Sequence, residues 1–359
     1  MYPFRYERAR TIEDALQSVT AQPLTIAGQS RAVFLAGGTN QLDFMKENVH
    51  RPDILVDITR LPLNAITAMP DGGLRLGAGS KNSAVAYHPD VQKNYVILAE
   101  AILAGASPQI RNMASTGGNL LQRTRCPYFR DTAMACNKRE PGTGCSALTG
   151  INRVHAIFGA SSQCIAANPS DMCVALSALD AVVRVRGPKG DRSIPFTEFH
   201  RLPGDRPERD TVLEPDELIT SVDLPPFQGM SHDLKVRERA SYAYALVSVG
   251  AALEMDGQNI KRARISLGSV AHKPWRAVEA EQLLAGKTPD AALFREAAKA
   301  AFAEAKPLEY NAYKIRMGTN TLTRCLMEVS GLMPLQGKAG TAFSSSAGSV
   351  AGELPGGAV

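Results

Sequence analysis

Two glycine pairs, each after an extended run, constrain the fold of this chain most strongly. The first glycine loop is AGGTN at 36–40, after the apolar run at 32–35, and the second is TGGN at 116–119. Glycine lets the backbone adopt positive φ and approach a ligand closely, so consecutive N–H groups can face one anion. Neither loop has the G-x-G-x-x-G or P-loop pattern. Taken alone, each is more simply a tight turn, but together they predict a site that grips a pyrophosphate from two sides.

The composition limits the possible classes of protein. The 359 residues are 44% hydrophobic and 21% charged, which is typical of a globular protein of two or three domains. A net charge of +5 gives little support to nucleic-acid binding. No run of 18 uncharged apolar residues occurs, so no membrane insertion is expected. The first residues lack the apolar core of a secretory signal. We therefore expect a cytoplasmic protein, or one exported already folded with a partner that carries the signal.

The order of apolar patterns predicts an α+β fold with two domains. Short apolar runs alternate with helical patterns in the first part, including one long helix over 84–103. We place a domain boundary after residue 226. Beyond it, two strands joined by a turn at Asp256-Gly257 predict an antiparallel pair, and helical segments follow up to residue 333. The tail at 334–359 has almost no large apolar residues and is predicted to be disordered.

Four of the six cysteines fall within 39 residues, at Cys126, Cys136, Cys145 and Cys164. Their gaps are C-x9-C, C-x8-C and C-x18-C, without the C-x2–4-C pair that is usual in zinc sites. Disulfides remain an alternative in an oxidising compartment. A [4Fe–4S] cluster needs four thiolates and tolerates varied spacing. The basic residues around them would offset the negative charge of such a cluster, or form a solvated loop face; they are Arg123, Arg125, Arg130, Lys138 and Arg139.

A third motif, ANPSD at 167–171, follows the two glycine loops and leads into ALSALDA. This order resembles the flavin-binding medium subunits of molybdenum hydroxylases, a family that includes xanthine dehydrogenase, carbon monoxide dehydrogenase and 4-hydroxybenzoyl-CoA reductase. The likeness covers nearly the whole chain except the tail. It implies a two-subdomain FAD-binding domain of the PCMH (vanillyl-alcohol oxidase-like) type over 1–226. A C-terminal flavoprotein domain with an antiparallel sheet and helices would cover 227–333.

The resemblance also implies which residues bind FAD. Asp171 matches the flavin-binding aspartate of the family, although Asn168 replaces the first aspartate of its motif. Lys235 matches a further flavin contact; otherwise it would be an exposed strand lysine. The full set of implied FAD-binding residues is Leu35, Ala36, Gly37, Gly38, Thr39, Asn40, Ser115, Thr116, Gly117, Gly118, Asn119, Asp171, Ile219 and Lys235.

The cysteines lie in about 40 extra residues between the second glycine loop and ANPSD, which we call the cysteine insertion (121–166). It resembles the insertion in the flavin subunits of periplasmic aldehyde oxidoreductases. The resemblance implies a [4Fe–4S] cluster on Cys126, Cys136, Cys145 and Cys164. Cys173 is the alternative fourth ligand, but it lies in an apolar helical run where cysteine is usually a core residue. Cys325 is expected to be structural.

The implied function is electron transfer within a heterotrimer. A large subunit with a molybdenum cofactor would oxidise an aldehyde, and a small [2Fe–2S] subunit would pass electrons to FAD on this chain, which would pass them to an external acceptor. The implied location is the periplasm, with the cytoplasm as the alternative. No catalytic residue and no molybdenum site are expected on this chain, so it would not oxidise aldehydes alone. Rival hypotheses are a medium subunit of xanthine dehydrogenase or hydroxybenzoyl-CoA reductase type, an independent FAD oxidase, and a non-enzymatic Fe–S or zinc protein.

Overall fold

The computed structural model describes residues 1–22 and 31–335 of the chain. The predicted disordered tail lies outside these residues, apart from Pro334 and Leu335. None of the helices in the described part is long and apolar enough to cross a membrane.

The N-terminal part contains two sheets with their helices. Its elements are β1 (Arg5–Arg8), α1 (Ile12–Thr20), β2 (Ala32–Leu35), α2 (Gln41–Lys46), β3 (Ile54–Asp57), β4 (Ile66–Ala68), β5 (Leu74–Gly77), α3 (Asn82–Ala86), α4 (Pro89–Asn94), α5 (Val96–Ala104), α6 (Pro108–Met113), α7 (Thr116–Leu120), α8 (Pro127–Arg130), α9 (Asp171–Ala178), β6 (Val182–Gly187), β7 (Gly190–Pro195), α10 (Phe196–Phe199) and β8 (Leu218–Leu224). The C-terminal part follows with β9 (Met230–Val236), β10 (Val247–Asp256), β11 (Asn259–Gly268), β12 (Trp275–Arg276), α11 (Val278–Leu284), α12 (Ala291–Ala301) and α13 (Tyr313–Val329).

The first sheet carries the first glycine loop at its carboxyl edge. Its strands run parallel in the order β1-β3-β2. Thr11 caps helix α1, because its side chain accepts a hydrogen bond from the Asp14 N–H. The helix buries Leu16 and Val19 in the core of this sheet. Because the first glycine loop follows β2 directly, it extends from the edge where the parallel strands end.

The second sheet is antiparallel, in the order β4-β5-β8-β6-β7. Helices α5 and α9 pack in its core and are mostly apolar, apart from Glu100 in α5 and Asp171 and Ser177 in α9. The prediction of one helix over 84–103 is wrong, because three short helices occupy this stretch. Pro89 is the first residue of α4, because proline cannot continue a preceding helix. Tyr95 has φ of −132°, so the helical conformation is interrupted between α4 and α5.

The third sheet is antiparallel in the order β12-β11-β10-β9, and α11, α12 and α13 pack around a core that it shares with them. The predicted antiparallel pair and the following helices are confirmed. The predicted turn joins β10 to β11, and Gly257 adopts φ of +59° there. The predicted domain boundary lies in the connection from β8 to β9, where the chain passes from the second sheet to the third.

Candidate functional site

A cavity of about 1300 Å³ lies between the two glycine loops. Twelve of the fourteen predicted FAD-binding residues line it: Ala36, Gly37, Gly38, Thr39, Asn40, Ser115, Gly117, Gly118, Asn119, Asp171, Ile219 and Lys235. Leu35 and Thr116 are not among the lining residues. The Leu35 carbonyl accepts a hydrogen bond from the Ile58 N–H, and the buried Thr116 hydroxyl donates to the Ser80 carbonyl at 3.2 Å. These two residues therefore anchor the loops to the protein.

Close backbone packing forms the two loops. A Cβ on Gly37 would lie 2.1 Å from the Met113 carbonyl oxygen, and Gly38 adopts φ of +72°. In the second loop, Ser115 caps α7 by accepting a hydrogen bond from the Gly118 N–H at 3.2 Å. The glycine at 37 is therefore needed for the close approach of the first loop to the end of α6, just before the second loop.

Asp171 and Lys235 form a buried ion pair in the wall of the cavity. The Lys235 ammonium lies 2.7 Å from an Asp171 carboxylate oxygen, and their side chains are 3% and 7% exposed. Burial raises the pKa of Asp171, and the nearby lysine opposes that shift. Lys235 also donates to the Ala104 carbonyl at 3.1 Å. The alternative that Lys235 is an exposed strand lysine is therefore wrong.

Asn40 connects the first glycine loop to the cysteine insertion. It occupies the cap position of α2, but its side chain makes no capping hydrogen bond there. Its side-chain oxygen instead accepts a hydrogen bond from the Arg125 guanidinium at 2.6 Å. Arg125 also lies over the ring of Tyr244, 5.0 Å from its centroid. Since Arg125 directly precedes Cys126, one residue contacts the loop and borders a predicted iron ligand.

The fold gathers the four predicted ligand cysteines into one small apolar cluster. Cys126, Cys136 and Cys164 are buried, Cys145 is half-buried, and all are free thiols that pack with Phe44 and Phe129. Cys136 and Cys145 are paired through an isolated antiparallel bridge. The two remaining cysteines lie elsewhere, Cys173 in the core of the second sheet and Cys325 in the core of the third.

The four thiols differ in their electrostatic surroundings. A hydrogen bond between Cys145 and Cys164 lowers the pKa of Cys145 to about 6 and raises that of Cys164. Burial raises the pKa of Cys126 to about 11. Within the described ranges, no group of three or more His, Cys, Asp or Glu side chains is arranged to hold a metal ion.

Two histidines that sequence reasoning missed contact these thiols. The Nε2 atom of His155 lies 3.1 Å from the Cys126 sulfur, and that of His272 lies 3.3 Å from the Cys164 sulfur. Burial lowers the pKa of His155 to about 4 and that of His272 to about 3, so both rings are neutral near pH 7. His155 is part of the cysteine insertion, but His272 follows Cys164 by 108 residues and no spacing in the sequence points to it.

Ion pairs and carbonyl contacts anchor the insertion to its surroundings. Lys138 is 1% exposed and pairs with Asp210 at 2.5 Å, and Arg123 pairs with the same carboxylate at 2.7 Å. Burial would raise the pKa of Asp210, but these two cations hold it below its usual range. Arg130 contacts Asp43 and Glu47 of the α2 region. These basic side chains are therefore engaged, and a freely solvated loop face is excluded.

The C-terminal part also braces the insertion. The Asn311 side chain donates to the carbonyls of His155 and Ala156, at 3.3 and 3.2 Å. Backbone hydrogen bonds from 157 and 158 reach the Val270 carbonyl, and Lys306 N–H donates to the Ile157 carbonyl at 2.8 Å. The insertion is thus held from both domains.

Comparison with known families agrees with this geometry. Residues 2–227 match the FAD binding domain in molybdopterin dehydrogenase, and residues 232–329 match the CO dehydrogenase flavoprotein C-terminal domain. The chain belongs to the FAD-binding subunits of the molybdenum hydroxylases.

Individual relatives support this membership of the family. The chain is 46% identical over 334 residues to the FAD-binding subunit PaoB of an aldehyde oxidoreductase from Escherichia coli, with 91% of this chain and 98% of the relative covered. It is 28% identical to a putative xanthine dehydrogenase FAD-binding subunit from the same organism, over 77% of each chain. A solved carbon monoxide dehydrogenase from Hydrogenophaga pseudoflava has the same fold, with a TM-score of 0.71 at 24% identity over 92% of this chain and 99% of that one.

As a member of this family, the chain is a flavin-binding subunit of an oxidoreductase, with the α+β fold that the sequence predicts. Its cavity fits FAD, because it is large enough for a dinucleotide and is bordered by the first glycine loop, whose main-chain N–H groups can face a diphosphate. The N–H groups at 116–119 donate within the protein instead. The family match does not assign single residues, so the fourteen FAD contacts and the four iron ligands stay predictions.

Proposed function

We propose that this chain is the FAD- and [4Fe–4S]-containing electron-transfer subunit of a heterotrimeric, molybdenum-dependent aldehyde oxidoreductase. It takes electrons from a small [2Fe–2S] subunit and passes them to an external acceptor, while a large subunit oxidises the aldehyde. The observation that carries the proposal is the gathering of four cysteines beside the flavin cavity, in a chain 46% identical to an aldehyde oxidoreductase subunit. A xanthine dehydrogenase type of complex has less support, since the identity to that relative is lower.

The flavin part of the proposal rests on the cavity. Bound FAD would supply the ability to accept and release electrons. The first glycine loop holds the diphosphate through main-chain N–H groups. The N–H groups at 116–119 donate within the protein, so the second loop contributes its shape and closeness to the cavity, which the Ser115 cap on α7 maintains. Asp171 and Lys235 place a fixed, desolvated pair of opposite charges in the wall. The protein thereby positions the cofactor and sets the charge around it.

The iron–sulfur part rests on the cysteine cluster. Two sulfurs on one zinc ion lie at most about 4.6 Å apart, because each Zn–S bond is about 2.3 Å. A four-iron cluster binds each cysteine through a different iron, so its ligand sulfurs lie farther apart than those on a single ion. The four thiols share one apolar cluster and could supply the four thiolates that a four-iron cluster needs. Cys145 and Cys164 are hydrogen-bonded to each other, so these two sulfurs would have to move apart to bind it. Cys126 also lines the flavin cavity, which supports a cluster close to the FAD site.

The partners and the location belong to the same proposal. Relatives of this chain are described as subunits or medium chains, which supports assembly with a large and a small partner. We propose the periplasm as the location, reached by export in the folded state with a partner that carries the signal.

The test is to purify the chain anaerobically with its partners and to measure FAD, iron and molybdenum. Cys164→Ala should remove four irons from the total and leave FAD in place, because this cysteine lies in the cluster. Cys173→Ala is the matched control, since Cys173 is fully buried in another core, and its iron content should stay at the wild-type level. Equal iron in both variants, or a wild-type complex without FAD, would contradict the proposal.

A further inference from the structure

Two buried imidazoles make the same kind of contact with two of the proposed iron ligands. His155 and His272 are 1% and 8% exposed, and each places Nε2 within 3.1–3.3 Å of a cysteine sulfur. The two rings come from different domains, one from the cysteine insertion and one from the connection after β11. Two separate parts of the chain thus each bring a histidine to a proposed ligand, one to Cys126, the first of the four in sequence, and one to Cys164, the last.

The position of the proton on each ring follows from the chemistry of the sulfur. A cysteine sulfur that binds iron has lost its proton and can only accept a hydrogen bond. The facing Nε2 must then carry the N–H. A neutral imidazole has one N–H, so its Nδ1 is left as a bare acceptor. This agrees with the structure, where the buried Nδ1 atoms of both His155 and His272 lack a hydrogen-bond partner.

We propose that His155 and His272 are N–H donors to the ligand sulfurs of the iron–sulfur cluster and that they keep its reduction potential high. This inference rests on the proposed cluster. Hydrogen bonds to the sulfurs stabilise the more negative, reduced state and so raise the potential. His155 and Cys126 also line the flavin cavity, so one of the two donors lies in the wall between the two proposed redox sites.

The test replaces each histidine by leucine, which removes the donor, and by glutamine, whose side-chain amide retains one. The complex is purified anaerobically, and the cluster is titrated at controlled potential while its electron paramagnetic resonance is recorded. At a fixed potential, each leucine variant should shift the ratio of reduced to oxidised cluster roughly threefold to tenfold toward the oxidised form, the range expected for one hydrogen bond. The glutamine variants should recover most of the shift, and the double leucine variant should combine both shifts.

His200 provides a matched control. It is also buried, its Nε2 contacts the Leu120 carbonyl at 2.9 Å, and its Nδ1 lacks a partner, but it contacts no cysteine sulfur. His200→Leu and His200→Gln should therefore leave the cluster potential at the wild-type value, although the loss of a buried hydrogen bond costs stability.

The outcomes separate the two proposals. A wild-type complex that lacks the iron of the cluster overturns the proposed cluster and this inference with it. A wild-type complex with the cluster, together with leucine variants at the wild-type potential, overturns only the role of the histidines. Iron lost from both the leucine and the glutamine variant of one histidine, with FAD kept, would indicate that this histidine is an iron ligand and would contradict a donor role.

Discussion

The wall of the flavin cavity and the cysteine insertion share several residues, among them Cys126 and His155, but different contacts shape the two regions. Backbone packed against backbone shapes the cavity, as at Gly37, where no side chain fits against the Met113 carbonyl. Side chains hold the insertion in place, as in the buried Lys138–Asp210 pair. We therefore expect substitutions that add side-chain volume to disturb the cavity most, and substitutions that remove a charge to disturb the insertion most.

Gly37→Ala should have the largest effect. The new Cβ would lie 2.1 Å from a backbone oxygen that cannot move away cheaply, so we expect a loss of about 3 kcal/mol in the free energy of unfolding. FAD retention should fall roughly tenfold or more. The flavin-to-protein absorbance ratio and denaturant unfolding measure the two effects. Gly142→Ala is the control in the insertion, where a Cβ meets nothing within 4 Å and only the φ of +88° is unfavourable. Wild-type FAD content in Gly37→Ala would contradict the idea that close backbone packing shapes the cavity.

Lys138→Met should loosen the insertion and spare the cavity. It removes the buried ammonium, but Asp210 keeps Arg123, so the cost should be about 2–3 kcal/mol, below that of a fully unpaired charge. Hydrogen exchange should rise within 121–166 while FAD content stays near the wild-type level. Lys189→Met at an exposed turn is the control and should change stability by less than about 0.5 kcal/mol. Unchanged exchange in Lys138→Met would show that the pair does not hold the insertion.

Arg125→Gln tests the connection between the two regions. The guanidinium contacts Asn40 of the first glycine loop and the ring of Tyr244, so its loss should weaken FAD binding by about 1 kcal/mol, or roughly fivefold. Arg125→Lys keeps the charge and a donor and should recover part of the affinity. FAD affinity measured by titration of the apoprotein distinguishes the variants, and equal affinities in all three proteins would exclude a role for this contact.

The smallest effect concerns pH and His200, at the junction between the second glycine loop and the insertion. Burial lowers its pKa to about 4, below the unfolded value of about 6.5. Its contribution to stability is therefore complete above pH 6.5 and is lost as the pH falls toward 4. His200→Gln removes this titration, so between pH 8 and pH 6 the wild type should lose about 0.8 kcal/mol more than the variant. Parallel stability curves over this range would contradict the prediction.

Local patterns predicted much of the fold. The apolar run 32–35 is β2, and the turn at 256–257 joins two long strands, because both depend on neighbouring residues. The prediction of one long helix over 84–103 was wrong, because it followed the apolar periodicity and did not take account of the helix break at Pro89. The side-chain contact of Asn40 could not be predicted from neighbouring residues, because Arg125, 85 residues away, donates to its side-chain oxygen.

The candidate site was predictable where motifs mark it. The resemblance named twelve residues that line the cavity, and the choice of Cys164 over Cys173 agrees with where the fold places the two thiols. His272 had no such mark, because it reaches the cysteines only through the packing of the C-terminal sheet. The close approach of Gly37 to Met113 was equally hidden, since it depends on a residue 76 positions later in the chain.

The contact of Asn311 with the carbonyls of His155 and Ala156 has a consequence for biosynthesis. Both glycine loops are complete once the first third of the polypeptide has been translated, but the cysteine-bearing segment lacks one of its supports until residue 311 has left the ribosome. In a nascent chain shorter than this, the proposed iron–sulfur site would lack the Asn311 contacts. The proposed cluster should therefore be assembled after residue 311 has been translated and has folded against the insertion.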